Sequence, residues 1–411
     1  MDVRKLLNIR LDRLIAGIMI AVSVLLNSCS MFSTIPSFTP LLSLSVWACI
    51  VFLIPSAPIR SSRLYLAVAA VCFWIFLSSV FSFSAVNISI CINLSALIAL
   101  SYLISTRISF ERFAMVFLES IAIISAASIA LWLLVDVAGF APPLPRLKNV
   151  NGVHYRTIGL ASYIDEPYLS ERASLGVFWE QGVFASFLII ALYLELHFKE
   201  SPRLSRVVLF TAALFTTGST AGYILLPFVF LSKMLGSKDK RFRLLATVSA
   251  VALIIILVFW SDSISQYLAR VNPEMFSKLI DNAAVTKSTR FYSPLLCLSI
   301  FNDSPILGLG YAGANDAYIA LAGSTEMVDS LTSTSAFLMA AFGLCGLLMA
   351  LLPLAAIMRL HHLSVPQRLL ACVLFLLVLN KEPHTTDLFM MILVMYACQE
   401  AFSKIKNLSC S

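Results

Sequence analysis

The sequence predicts an all-α protein whose helices form a bundle across a membrane. Of its 411 residues, 59% are hydrophobic and only 12% are charged, whereas a soluble domain carries about 25% charged residues. The mean hydropathy is +0.90, and long apolar runs alternate with short polar connections. A chain of this composition cannot cover a water-facing surface, so we interpret it as a polytopic transmembrane protein.

The length of the apolar runs predicts the number of spans, because a helix that crosses the hydrocarbon core needs about 20 mostly apolar residues. The seventh and eighth runs are close enough together to form a tight hairpin or one broken helix, so we expect about 12 spans. The first apolar run contains Leu26 to Cys29, which faintly resemble a lipoprotein cleavage site. Asn27 fits that pattern poorly, so we interpret this run as an uncleaved span. The predicted spans are 14–32, 41–54, 64–82, 86–105, 113–135, 173–197, 204–217, 220–235, 243–261, 331–356, 366–380 and 386–402.

The distribution of positive charge predicts the topology, since cytoplasmic loops carry an excess of Lys and Arg. About two thirds of the 29 Lys and Arg residues fall in alternate loops, and both termini belong to that set. We therefore expect cytoplasmic termini and two long periplasmic loops. The predicted units are spans 1–5 in residues 1–135, a loop in 136–172, spans 6–9 in 173–261, a large loop in 262–330, and spans 10–12 with a tail in 331–411.

Several function classes are excluded by what the sequence does not contain. The net charge of +7 is spread beside apolar segments and forms no basic domain, so nucleic-acid binding is not indicated. There is no phosphate-binding Gly-rich loop, dinucleotide fingerprint, serine-hydrolase elbow or zinc-protease motif. The five histidines are scattered, so we predict no metal and no cofactor, and expect the site to be built from polar residues at the outer membrane face.

The most informative segment is the stretch from Arg172 to Phe184, at the outer end of the sixth span. If it is helical, Arg172, Gly176 and Glu180 share one face, and Glu180 lies about 12 Å inward of Arg172. An acid at that depth must face a partner, water or the bundle interior. Glu180 is thus a candidate catalytic base, or a structural residue paired with an arginine. Trp179 beside it is a candidate substrate contact.

Two arginines are candidates for binding a phosphate. Arg172 precedes the sixth span, and Arg290 lies in the large loop beside the aromatic residue Tyr292. The planar guanidinium fork suits a phosphate or pyrophosphate headgroup. In the same loop, Gly308, Gly310 and Gly313 surround Tyr311 and allow tight turns or a close backbone approach. We predict substrate contacts for Arg172, Arg290, Tyr292 and Tyr311.

A dense polar cluster, Asn380 to Asp387, separates the last two spans. Pro383 breaks the helix, and the freed backbone must line a cavity or water. Glu382 or His384 could accept a proton from a sugar hydroxyl, although an ordinary polar turn fits the pattern equally well. Glu119 in the fifth span has no obvious partner in the sequence, and we interpret it as structural.

In their order along the chain, these segments resemble bacterial O-antigen polymerases over roughly residues 90 to 400. The resemblance is carried by Arg172 to Phe184, Thr217-Gly-Ser-Thr-Ala-Gly-Tyr223, Arg290 with Ser304-Pro-Ile-Leu-Gly-Leu-Gly310, and the span that begins at Ser333 and contains Gly343 and Gly346. The chain has Trp179-Glu-Gln-Gly182 where related proteins often show Trp-Glu-Pro-Gly. O-antigen ligases typically carry a His-Asn pair where this sequence has Ser333, Thr334 and Ser335, which favours a polymerase over a ligase.

The resemblance implies a metal-independent glycosyltransferase of the bacterial inner membrane. It would join oligosaccharide repeat units carried on undecaprenyl pyrophosphate at the periplasmic face, among membrane lipids and beside a chain-length regulator and a flippase. By that analogy Arg172 and Arg290 bind pyrophosphate oxygens, and Glu180, Glu382 or His384 is the base. The alternatives are an O-antigen ligase and a lipid-linked oligosaccharide flippase or other transporter.

Overall fold

The computed structural model confirms that the chain is mainly α-helical. Its helices are α1 (Gly17–Leu26), α2 (Thr39–Leu53), α3 (Ser62–Phe81), α4 (Ala85–Arg107), α5 (Phe110–Trp132), α6 (Gln181–His197), α7 (Leu204–Thr216), α8 (Thr220–Leu235), α9 (Ala283–Asp303), α10 (Gly310–Ser324), α11 (Thr334–Phe342), α12 (Leu344–Met358), α13 (Val365–Lys381) and α14 (Leu388–Leu408). The structure describes residues 17–53, 62–140, 142–149, 153–165, 173–198, 201–237, 239–241, 244–245, 247–249, 283–324, 331–360, 363–381 and 384–408.

Three helical stretches within these ranges are long and apolar enough to cross a membrane: Leu64–Phe81, Ala85–Arg107 and Phe110–Val137. Seven further apolar helices of 10–17 residues are shorter than a full crossing. Large apolar side chains on α2 and α3 are exposed, among them Leu44, Val51 and Phe73, as expected for helices that face lipid. The structure supports an integral membrane protein, and the count of about 12 spans stays a prediction. Most of the predicted ninth span, 243–261, lies outside the described residues.

Serine side chains begin several of the helices. Ser84, Ser109, Ser219 and Ser333 each accept a hydrogen bond from the backbone N–H three residues later. An N-cap of this kind satisfies a donor that the first helical turn leaves free, which contributes about 1 kcal/mol to stability. These caps fix the starts of α4, α5, α8 and α11.

Part of the first long loop forms a small antiparallel sheet that the sequence analysis did not predict. Its strands are β1 (Arg146–Lys148), β2 (His154–Thr157) and β3 (Ser162–Ile164), in the order β1-β2-β3. On β2 the buried residues Tyr155 and Thr157 alternate with half-buried neighbours, which is the pattern of a strand with one covered face. β3 then binds the segment before α6, because Ser162 Oγ donates to the Gly176 carbonyl at 2.7 Å.

The predicted tenth span is two helices, α11 and α12, which meet at Gly343. Gly343 has φ +58°, and a Cβ there would collide with the backbone of Ile306. The large loop inserts at this break, where Leu344 N donates to the Ile306 carbonyl at 3.1 Å and Leu309 N donates to the Ala340 carbonyl at 3.1 Å. Irregular backbone is tolerated here because it is covered by protein.

Packed phenylalanines hold the segment before α6 against the bundle. The ring centroids of Phe178 and Phe187 are 4.3 Å apart, and those of Phe117 and Phe389 are 4.1 Å apart. Phe187 also lies 5.1 Å from Phe389. All four side chains are buried, so this packing joins α5, α6 and α14 beneath residues 173–180.

Candidate functional site

Buried polar residues gather where α13 ends and α14 begins. The short connection between these helices contains the buried residues His384, Thr385 and Asp387. It is fixed from neighbouring elements, because His384 N donates to Thr334 Oγ1 at 2.7 Å and Phe389 N donates to Ser28 Oγ at 2.9 Å. We call this group the His384 cluster; its members are Cys29, Ser219, Ser333, Thr334, Lys381, His384, Thr385 and Asp387.

His384 and Asp387 form a fully buried pair. Their side chains are 0% exposed, and His384 Nδ1 lies 2.9 Å from Asp387 Oδ2. An ionised carboxylate only accepts hydrogen bonds, so we assign the proton to Nδ1, which leaves Nε2 with a free lone pair. Asp387 Oδ1 accepts a bond from Met390 N at 3.2 Å, so the same carboxylate orients the imidazole and caps α14.

The other ring nitrogen of His384 is unsatisfied. His384 Nε2 is buried and has no hydrogen-bond partner among the described residues. A buried polar atom without a partner costs about 1–3 kcal/mol, and such atoms occur where a ligand or a catalytic role explains them. Asp387 therefore orients the imidazole through Nδ1, and Nε2 is the ring nitrogen that has no partner in the described part of the chain.

Cys29 brings a thiol to the same imidazole. Its Sγ lies 3.8 Å from His384 Nδ1, and its backbone has φ +54°. The carbonyl of Cys29 accepts a bond from Trp179 N at 3.3 Å, which connects the turn after α1 to the segment before α6.

The Cys29 sulfur and one donor atom each from His384 and Asp387 lie within 4.8 Å of one another. Cysteine, histidine and aspartate side chains are ligands that Zn²⁺ binds in proteins. The 2.9 Å separation of Nδ1 from Oδ2 is that of a direct hydrogen bond, and two ligands on one zinc ion lie further apart. We therefore interpret the three side chains as a hydrogen-bonded group.

Lys381 joins the cluster to α6 and α8. Its side chain is buried, and Nζ donates to the Gly182 carbonyl at 2.9 Å and to Ser219 Oγ at 3.0 Å. One residue earlier, Asn380 Oδ1 accepts a bond from Ser333 Oγ at 2.7 Å. A buried ammonium is retained only where hydrogen bonds compensate its loss of water, so this lysine fixes three chain segments around a positive charge.

Glu180 has a different setting from the one predicted. The helix α6 begins at Gln181, and Glu180 is its extended N-cap residue, with φ −147° and ψ 147°. Gly176 has φ +59°, so residues 173–180 are irregular and the predicted helix face through Gly176 and Glu180 is wrong. A single apolar run could not reveal this start, because the break is imposed by β3 and by the turn after α1.

Tyr155 from the small sheet lies beside Glu180. Its hydroxyl donates to the Trp179 carbonyl at 3.0 Å and accepts a bond from Asn149 Nδ2 at 3.1 Å. Burial raises the pKa of Tyr155, the hydrogen bond from Asn149 lowers it, and the nearby charge of Glu180 raises it further. The phenol therefore stays protonated and holds the backbone next to Glu180.

The remaining predicted residues divide into three groups. Tyr311 joins the cluster, since its hydroxyl lies 3.3 Å from Thr385 Oγ1 and its ring contacts the edge of Phe337 at 4.9 Å. The side chain of Tyr292 is 46% exposed on α9 and is not part of the buried cluster. Arg290 belongs to α9, and its side chain, like Arg172 and Glu382, lies outside the described residues.

The sequence analysis missed Cys29, Lys381 and Asp387 as site residues. The i,i+3 spacing of His384 and Asp387 after a helix-breaking proline was an available signal for the pair. No signal within the sequence connects Cys29 to a residue 355 positions later. The contact of Thr334 with His384 also depends on the fold, so the sequence alone could not reveal it.

Glu119 forms an ion pair with Arg206, which the sequence did not indicate. Arg206 on α7 donates to Glu119 Oε1, and its other terminal nitrogen lies 3.3 Å from Glu195 Oε2. Arg203 N donates to Glu195 Oε1 at 2.7 Å. This group of Glu119, Glu195 and Arg206, which we call the Arg206 cluster, is near the other end of α6 and agrees with the structural interpretation of Glu119.

The chain matches no curated protein and no solved structure. One family model matches, over residues 206–351, from α7 into α12. The matched region contains Ser219, Ser333 and Thr334 of the His384 cluster, whereas His384 and Asp387 follow it. The matching model is described as O-Antigen ligase, and residues 206–351 of the chain are similar to it.

Proposed function

We propose that this protein is a polymerase of surface polysaccharide, which joins lipid-linked oligosaccharide repeat units at the periplasmic face of the inner membrane. The family covers ligases and polymerases, which are glycosyltransferase-like enzymes acting on lipid-linked oligosaccharides. The observation that carries the proposal is the buried His384–Asp387 pair, whose Nε2 has no partner among the described residues. Among the candidate bases we favour His384, because Asp387 orients its imidazole.

In the proposed reaction, His384 Nε2 takes the proton of an acceptor hydroxyl as its oxygen attacks the anomeric carbon of the donor sugar. The bond from that carbon to the pyrophosphate oxygen breaks, and the electron pair leaves with the pyrophosphate. Asp387 holds the imidazole in the required tautomer and stabilises the imidazolium that forms, as in other base–carboxylate pairs. The proton thus ends on His384 and the negative charge on the leaving group.

Binding of the leaving group needs positive charge, which Arg172 and Arg290 are proposed to supply as planar donors to the pyrophosphate oxygens. Trp179 and Tyr311 are proposed to contact sugar rings, and Tyr292 is proposed to contact substrate at the exposed side of α9. Glu180 and Glu382 are the alternative bases. Lys381 holds its charge inside the cluster through Gly182 and Ser219, which favours binding of an anion nearby.

A ligase is the second candidate, and one observation favours it. Ligases typically place a His-Asn pair where this chain has Ser333, Thr334 and Ser335. His384 is hydrogen-bonded to Thr334 through its backbone N–H. An imidazole therefore lies beside the position where ligases carry theirs, supplied from a different segment, and the same proton transfer would serve either acceptor.

The test is reconstitution of the purified protein in vesicles with a lipid-linked repeat unit and a metal chelator. We expect the wild type to form a ladder of products, and His384→Gln and Asp387→Asn to form almost none. Arg172→Ala and Arg290→Ala should lose activity through weaker substrate binding. Thr386→Ala is the matched control, because Thr386 is an exposed residue of the same turn.

Two outcomes would contradict the proposal. A normal ladder from His384→Gln would remove His384 as the base and return the role to Glu180 or Glu382. Transfer of a unit to the lipopolysaccharide core acceptor, without a ladder, would identify a ligase. Deletion of the protein should leave surface glycan capped with a single repeat unit, whereas loss of a flippase would leave none.

A further inference from the structure

An elongated cavity of about 680 Å³ lies inside the bundle, between the α4–α5 connection and parts of α6, α12, α13 and α14. Along α6 it extends from Ile189 to Phe198, the residue that follows the helix, and on α13 from Ala371 to Val378. At 1.5 Å per residue these stretches are about 13 Å and about 10 Å long. The cavity has the volume of a ligand site, which is about 300–1,000 Å³, and its long direction follows the helices.

The lining changes from apolar to polar along the cavity. The inner part is lined by Ile189, Leu374, Phe375, Val378 and Leu393, whereas the other end adds the polar residues Ser109, Glu111, His197 and Gln399 beside the rings of Phe110 and Phe198. Ser109 and Glu111 are exposed, so the polar end is the mouth. A cavity with an apolar body and a polar, exposed mouth matches an amphiphile, with its tail inside and its headgroup at the surface.

The position of the mouth excludes the lipid that the proposed reaction uses. The helix α6 begins beside the His384 cluster and ends at His197 of the mouth, and a helix of 17 residues spans about 25 Å. A substrate lipid whose pyrophosphate is bound near His384 cannot place its headgroup at the opposite end of α6. This step rests on the proposed function, and it leaves the lipids of the other membrane leaflet as the source of the amphiphile.

Charge at the mouth favours a phosphate headgroup. Arg112 is exposed beside Glu111, Arg107 is half-buried at the end of α4, and Arg359 is exposed next to Leu360, which lines the cavity. Each of these three arginines is next in sequence to a residue that lines the cavity, and Glu111 is the one carboxylate among the described lining residues. The helix α5 also begins here, and the N-terminus of a helix attracts anions.

From these observations we propose that the cavity holds one acyl chain of a phospholipid, whose phosphate lies at the mouth among Arg107, Arg112 and Arg359. The lipid fills the apolar space between α6, α13 and α14; the connection between α13 and α14 contains His384, and Lys381 of α13 contacts Gly182 of α6. It is a resident lipid of the leaflet opposite the reacting groups, separate from the substrate.

The test uses the full chain in vesicles of phosphatidylglycerol and phosphatidylethanolamine, with no oligosaccharide present. A small share of phosphatidylglycerol carries a photoreactive group in one acyl chain, and the crosslinked residues are identified by mass spectrometry. We expect labels on Phe375, Val378 and Leu393. Labels confined to lipid-facing residues such as Val373 and Leu377 would overturn the proposal, as would cavity labelling by a photoreactive polyprenyl phosphate and not by the phospholipid.

Two variants sharpen the result. Leu374→Trp fills the cavity and should lower labelling of Phe375 roughly tenfold, which corresponds to about 1.4 kcal/mol of binding. Val373→Trp is the matched control, because Val373 is on the same helix with its side chain 37% exposed, and it should leave labelling unchanged. Equal labelling in both variants would refute occupancy of the cavity.

Arg112→Glu leaves the cavity intact and tests the headgroup. Labelling by the phosphatidylglycerol probe should fall, whereas labelling by a photoreactive diacylglycerol, which has no phosphate, should stay the same. An equal response of both probes would refute phosphate binding at the mouth. Because none of these measurements uses catalysis, failure of the lipid proposal and failure of the proposed reaction give separate results.

Discussion

The two buried polar clusters at opposite ends of α6 differ in how completely their hydrogen bonds are satisfied. In the Arg206 cluster one guanidinium bonds two carboxylates, and one of these also accepts a backbone N–H. In the His384 cluster the imidazole is held through Nδ1, while Nε2 is buried without a partner in the described part of the chain. Both ends bury ionisable groups, but among the described members of the two clusters only His384 has a buried polar atom without a hydrogen-bond partner.

This difference separates a structural role from a chemical one. Removal of one member of a satisfied buried ion pair leaves an uncompensated charge, so it lowers stability strongly. A side-chain atom that has no partner in the folded protein contributes little to stability. Substitution of a residue that acts through such an atom should therefore lower the reaction rate. Variants at the two ends of α6 should therefore affect different measurements.

The largest effect is expected for His384→Gln. The amide keeps a hydrogen bond to Asp387 but cannot accept a proton from a hydroxyl, so the rate of sugar transfer should fall by about 10²–10⁴-fold. The thermal midpoint of the purified protein should change little, because the lost atom had no partner. Transfer is measured by the product ladder and stability by thermal inactivation in detergent. A variant that unfolds while its remaining folded fraction keeps the normal rate would make His384 structural.

Arg206→Met should have the second largest effect, on stability alone. Glu195 is fully buried, and loss of its partner should cost about 3–5 kcal/mol. Glu119→Gln is the control, because the Glu119 side chain is 60% exposed and an exposed ion pair contributes about 0–1 kcal/mol. Combining Arg206→Met with Glu195→Gln should restore part of the loss, since the amide oxygen still accepts from Arg203 N. If the double variant is no more stable than Arg206→Met, packing of the Arg206 side chain, rather than its charge, stabilises this end of α6.

The same contrast shows what the sequence could and could not predict. Apolar runs predicted the helices because each must hide its backbone and cover its side chains with lipid or protein. The helices α6, α7 and α8 lie within the predicted spans, and α2 to α5 overlap theirs but begin one to three residues earlier. The start of α6 at Gln181 and the break at Gly343 depend on contacts with Ser162 and Ile306. Periodicity within one segment carries no information about such contacts.

For the site, the sequence placed His384 in a polar turn but could not choose it over Glu382. The bond of His384 to Asp387 supports the proposal of His384, whereas Glu382 lies outside the described residues. Glu119 was interpreted as structural, and its ion pair with Arg206, 87 positions away, agrees with that interpretation. Residue type and local spacing could nominate candidates, but they could not reveal contacts that only the fold creates.

A smaller effect is expected for Tyr155→Phe, which tests whether the sheet supports the His384 end. The change removes the bonds to the Trp179 carbonyl and from Asn149, and the unpaired groups should cost about 1–3 kcal/mol of stability. Since burial raises the pKa of Tyr155 above its usual 10.0, the folded state favours the protonated phenol. The stability difference between wild type and variant should be complete below pH 10 and shrink as pH rises through the raised pKa. A difference that stays constant in alkaline urea titrations would contradict this role.

The smallest effect is expected for Cys29→Ser, which tests whether the thiol is part of the chemistry. Cys29 Sγ lies 3.8 Å from His384 Nδ1, and a thiol is a weak hydrogen-bond partner, so its replacement by a hydroxyl should change stability by about 1 kcal/mol or less. The transfer rate should stay within roughly threefold of the wild type, because Asp387 alone is sufficient to orient the imidazole. The transfer rates of Cys29→Ser and His384→Gln are compared in parallel ladder assays. A loss in Cys29→Ser as large as that in His384→Gln would give the sulfur a direct role, and would place the reactive centre on the Nδ1 side of the ring rather than at the unpartnered Nε2.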